Sequence, residues 1–130
     1  MSRYDATQTN ESTRSSKIFK DLNLDFQQNT ATKDIQKITD VEAVKRSVRN
    51  LISTNHYEKP FHPEISSGVR GLLFELMTPI TATIIAKKVE EVINNFEPRA
   101  RLVAVRATPD LDQNSYELSV EFYVVNAPTE

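Results

Sequence analysis

At Pro98 the hydrophobic period of this chain changes, and that switch limits the possible folds more than any other feature. Upstream, Ile84, Ile85, Val89, Val92, Ile93 and Phe96 recur at the spacing of one helix face, with Lys87, Lys88, Glu90 and Glu91 on the other. Downstream, "SYELSVEFYVV" alternates, which puts Tyr116, Leu118, Val120, Phe122 and Val124 on one side of a strand. Proline has no amide proton to donate and disfavours helical geometry in the residue before it. The helix is therefore predicted to stop near Asn95 or Phe96. "RARLVAVRAT" then reads as a strand, and "PDLDQN" carries turn chemistry that folds the two strands into an antiparallel hairpin.

The same reading extends to the N-terminal side. Asp40 is placed as an N-cap with Glu42 in the first turn, before Val41, Val44, Val48, Leu51 and Ile52 at helical spacing. Lys45, Arg46 and Arg49 occupy the opposite face of this helix of about four turns, and the basic residues near its C-terminus suit the dipole. Ser66 or Ser67 is expected to cap a second, shorter helix with Val69, Leu72, Leu73 and Leu76 on one side. Pro79 ends that helix, and Thr81 caps the third. Residues 18–26 partly alternate and 34–39 are a second short extended candidate. The expected fold is α+β: three helices packed on a small antiparallel sheet, with a C-terminal β-hairpin.

Nine of the first 17 residues are Ser, Thr, Asn or Gln. We read residues 1–17 as a flexible polar arm and 18–130 as a single domain. The net charge of −2 gives no basic field for nucleic acid, and the chain has no cysteine. Disulfides, thiolate zinc sites and Cys nucleophiles are excluded with it. The longest apolar runs are far too short to cross a bilayer, and no signal core opens the chain. A soluble protein made and used inside a cell is expected, with neither nucleic acid nor membrane as a partner.

Few residue patterns carry chemistry. His56 and His62 flank Glu58 and precede Glu64, but their spacing matches no helical face and they sit among prolines. Loop polarity explains them better than a metal does. Glu58, Glu64, Glu75 and Glu97 could supply a glycosidase pair only if a cleft held two carboxyls about 5 to 9 Å apart, which no motif here requires. With only Gly68 and Gly71 there is no phosphate-cradling loop, and no nucleophile–base set appears. No catalytic residue, metal or cofactor is assigned.

Two features remain. Glu97 lies at the negative end of a helix dipole, the wrong place for a carboxylate, and Arg99 is near enough to offset it. One reading is a helix stop alone. The other is an acid and a base that project outward together to one partner. The last strand is polar on its outer face at Glu117, Ser119 and Glu121, then apolar at Tyr123 and Val125. Such an end is either covered within the domain or is an edge that pairs with another chain.

From about residue 18 to its end the chain resembles the small baseplate wedge protein of contractile-tailed phages, often labelled lysozyme-like, a group that includes TssE of type VI secretion systems. The likeness is carried by Asp21-Leu22-Asn23, Asp34-Ile35, "EAVKRSVRNL", "KPFHPEISSGVRGLLFE", "MTP" and "NNFEPRA", in that order. The resemblance implies a structural protein of the virion tail baseplate, assembled in the host cytoplasm, and not an enzyme. It implies docking of Glu97, Pro98 and Arg99 on a helical bundle of the larger wedge proteins. It also implies a β-edge, ending at Tyr123–Val125, from which tail-sheath assembly starts. The partners it implies are those wedge proteins, the sheath protein, and central tube or hub proteins. A peptidoglycan-cleaving enzyme and the equivalent component of another contractile injection machine are the alternatives.

Overall fold

The protein is described by a computed structural model over residues 19–125. The polar arm read over residues 1–17 lies outside the described residues, as do Ile18 and residues 126–130. The order of elements is β1 (Lys20–Leu22), β2 (Lys37–Thr39), α1 (Asp40–Ser53), α2 (Val69–Leu72), α3 (Pro79–Phe96), β3 (Ala100–Asp110) and β4 (Ser115–Val124). The α+β reading with three helices and a C-terminal hairpin holds. The strands form two separate antiparallel pairs, β1 with β2 and β3 with β4.

The switch at Pro98 falls as expected. Helix α3 ends at Phe96, and Glu97 caps it by donating its amide to the Ile93 carbonyl at 2.9 Å. The start of α3 differs from the expectation. Thr78, not Thr81, is the cap, and its hydroxyl accepts from the Thr81 amide at 3.1 Å. Pro79 opens this helix at its first position, where a missing amide proton costs nothing. Asp40 likewise is the first residue of α1 and not its cap. Its carboxylate accepts from the Phe19 amide at 3.2 Å and so holds the chain leading into β1. Lys45, Arg46 and Arg49 lie in the body of α1, and its last turn has no basic residue.

Helix α2 is shorter than its apolar spacing suggested. Gly71, a poor helix former, sits inside it, and no α2 residue is buried to offset the cost of nucleation. Its N-cap is Gly68 at φ 61°, a left-handed conformation that glycine adopts without strain. Ser67 serves beside it: its hydroxyl donates to the Ile52 carbonyl at 2.6 Å and accepts from the Val69 amide at 3.3 Å.

The core lies between α1, α3 and the inner face of the hairpin. Val44, Val89 and Ile93 are fully buried, and Leu102, Val105, Leu118, Val120, Phe122 and Val124 pack against them. Helix α3 rests chiefly on β3. A bulge between Leu102 and Ala104 shifts the phase of β3, so Leu102 and Val105 both face the core although they are an odd three positions apart. On β4 the alternation is unbroken, as its sequence requires.

Candidate interaction site

The turn after α3 positions every residue of the Glu-Pro-Arg motif. The Ala100 amide donates to the Glu97 carbonyl at 3.1 Å, which folds the backbone around Pro98 and turns Arg99 back towards Glu97. Arg99 Nε then donates to Glu97 Oε1 at 2.6 Å and Nη2 donates to Oε2 at 2.8 Å, a two-point charge-assisted contact. Ser47, on α1, donates its hydroxyl to the same Oε2. Glu97 is only 3% exposed.

The outward-facing acid of the sequence reading is therefore corrected. Glu97 presents no free carboxylate, because α1 covers it and Arg99 and Ser47 occupy both oxygens. Arg99 does pair with the carboxylate at the end of α3, as its proximity suggested. Burial works against the charge on Glu97, but the hydrogen bonds from Arg99 and Ser47 and the guanidinium's charge outweigh it. The carboxyl is held below its usual range. The bond to Glu97 correspondingly raises the affinity of Arg99 for its proton.

Arg99 has further partners. Its Nη1 lies 3.7 Å from Asp21 Oδ2 on β1, and the guanidinium carbon lies 5.6 Å from the centre of the Phe19 ring. Its side chain keeps 28% exposure, and Pro98 beside it is exposed. One arginine thus joins the end of α3 to β1, and through Glu97 to α1.

The structure also brings together the two regions the sequence left apart. The Val125 amide donates to the Arg99 carbonyl at 2.9 Å, and Tyr123 is paired across the hairpin with Arg101. The end of β4 and the Glu-Pro-Arg turn form one corner of the molecule. Of the two readings of the terminal strand, coverage within the described domain is not what the structure shows: Tyr123 is 70% exposed and Val125 37%.

The other candidates stay separate. His62 Nδ1 lies 3.0 Å from Glu64 Oε1, and His56 rests against the Tyr57 ring. Among the described residues no three His, Cys, Asp or Glu side chains gather as a metal site. Asp25, Glu58, Glu64 and Glu97 are all shifted downward: Asp25 by Arg46, Glu58 by the Asn55 amide and side chain, Glu64 first by its own backbone and then by His62. A glycosidase acid needs the opposite shift, a carboxyl that keeps its proton near neutral pH.

One surface escaped the sequence reading. Tyr57, Phe61, Phe74, Leu76 and Ile80 stand well out from the segment around α2, Phe61 at 97% exposure and Phe74 at 92%. Tyr57 and Phe61 do so at φ values of 64° and 67°, unusual for aromatic residues. The available signal was aperiodicity: Phe61 lies between Pro60 and Pro63, where it cannot join any helix face.

Residues 39–129 match the family model described as baseplate wedge protein gp25. The chain belongs to that family. Within it, the chain is 29% identical over 112 residues to baseplate wedge protein gp25 of Enterobacteria phage T4, across 86% of this chain and 84% of the relative. Its fold is similar to that of a chain in the anti-feeding prophage baseplate, with a TM-score of 0.74 at 24% identity, covering 85% of this chain and 88% of the other. A chain of the post-contraction baseplate of pyocin R2 matches with a TM-score of 0.60 at 18% identity, over 75% and 96% of the two chains. A putative tail lysozyme from Geobacter sulfurreducens shares the fold less closely, at a TM-score of 0.50 and 20% identity over 68% and 93%.

Proposed function

We propose that this chain docks on the larger baseplate wedge proteins through the exposed side of the Pro98–Arg99 turn, and starts sheath assembly from the end of β4. Family membership makes it a structural wedge component of a contractile-tail baseplate. The finer roles rest on one observation, the corner where the Val125 amide meets the Arg99 carbonyl. There a pre-organised cation and an uncovered strand end stand side by side. The three residues of the motif divide the work. Glu97 fixes the guanidinium from within, Pro98 sets the turn, and the remaining donor edge of Arg99 meets partner carbonyls or carboxylates. No catalysis is assigned, and the downward-shifted carboxyls favour that reading. Assembly would take place in the host cytoplasm, with tube or hub proteins as neighbours.

Arg99→Lys tests the docking role, since it keeps the charge and loses the two-point contact. With the folded fraction checked by circular dichroism, capture of the larger wedge proteins should fall at least tenfold. Unchanged capture by a folded variant overturns the assignment. Tyr123→Asp tests the strand. Tyr123 is exposed, so folding should be untouched while sheath polymerisation on reconstituted baseplates is lost; normal sheath growth would refute the β4 role.

A further inference from the structure

The hairpin has only two strands, and the outer edge of β4 is unpaired among the described residues. Beside that edge the inner row of β4 is incompletely covered. Leu118, Val120 and Phe122 floor an open groove of about 290 Å³ whose far wall is α1, contributing Val48 and Ile52. The rim is cationic. Lys45 and Arg49, one helical turn apart on α1, stand over the groove. Lys45 contacts Glu42 at 3.0 Å, whereas Arg49 is exposed and reaches Asp25 only through its field.

A strand added to β4 would lie about 4.8 Å further out, with alternate side chains directed to the α1 side. Those side chains would enter the groove. Apolar ones would complete the cover over Val120 and Phe122, and a carboxylate among them would come within reach of Arg49 and Lys45. A lysine there would meet like charge in a partly dry setting.

We propose that the groove between α1 and β4 selects the incoming strand: an extended partner segment with alternating apolar residues facing the groove and an acidic residue set against Arg49 and Lys45. This deepens the reading that β4 receives a partner strand, and it rests on that reading. It adds a chemical rule for which segment fits.

The test uses the full chain and three synthetic ten-residue peptides, with binding followed by fluorescence anisotropy up to millimolar concentration. One alternates valine with serine and carries a glutamate on the valine face. The second replaces that glutamate by lysine. The third is the acidic peptide N-methylated at alternate amides along its pairing edge. The acidic peptide should bind about tenfold more tightly than the lysine peptide, and Arg49→Glu should reverse that order. Ile52→Glu should weaken both. Equal binding of the acidic and lysine peptides, or no binding of either, overturns the groove rule. If the two bind equally and N-methylation abolishes binding, strand addition stands while the groove rule falls. If the acidic preference survives N-methylation, the groove is selective but the strand reading fails.

Discussion

Replacing Glu97 by Gln tests the centre of the structure. The carboxylate accepts three charge-assisted hydrogen bonds, from Arg99 Nε, Arg99 Nη2 and Ser47 Oγ. Such bonds contribute about 1.5–3 kcal/mol each when buried. The full sum is too large here for two reasons. Gln keeps one carbonyl acceptor, and Arg99 is 28% exposed, so the released guanidinium regains water. The Gln amide would, however, turn a donor towards the donors of Arg99 or Ser47. We expect a net loss of about 2–3 kcal/mol, close to the lower range for breaking a buried pair. In urea, with an m-value of about 1.3 kcal/mol/M, the midpoint should drop by roughly 2 M. The pH dependence gives a second reading. Because folding lowers the carboxyl's pKa, its stabilisation is complete above the unfolded value near 4.5 and is lost as the pH falls through the folded value. The gap between wild type and Glu97→Gln should therefore shrink steadily as the pH drops below about 4.5. Asp25, Glu58 and Glu64 titrate in both proteins, so the difference isolates Glu97. A loss under about 0.5 kcal/mol, or a gap constant down to acid unfolding, would refute the buried-clamp reading.

Three further outcomes follow from the geometry. Thr78→Ala should cost about 1 kcal/mol, because Thr78 caps α3, whereas Thr39→Ala should cost much less, since Thr39 makes no side-chain cap bond; thermal melts of the two variants decide between them. Ile93→Ala should cost roughly 3 kcal/mol and Ile84→Ala under about 1, because Ile93 is fully buried while Ile84 is 42% exposed; equal losses would mean that α3 presents a different face to the core. Phe74→Ser should leave the urea midpoint within about 0.3 M of wild type, since its ring is almost wholly in solvent.

Where a residue's role follows from local periodicity, the sequence could be read directly. Pro98 and the alternation from Tyr116 to Val124 required a helix stop and a strand, and both are present. Where a role depends on which of two adjacent groups satisfies a helix end, the reading slipped by a few residues. Thr78 and Thr81 are both capable caps, and the choice was set by Pro79, which is better tolerated at the start of α3 than as a mere breaker of α2. The direction of Glu97 was harder still. Spacing put residues 97 and 99 on one side of an extended segment, but the segment is not extended. The turn closed by the Ala100 amide points Arg99 back, and Ser47, fifty residues earlier, supplies the third ligand. No local pattern encodes that contact. It exists because α1 and α3 bury Val44, Val48, Val89 and Ile93 in one core, which sets Ser47 over the end of α3. The motif's acid thus acts within the domain and its base near the surface. That division holds a single part-exposed arginine firmly in place, which is what the proposed docking role requires.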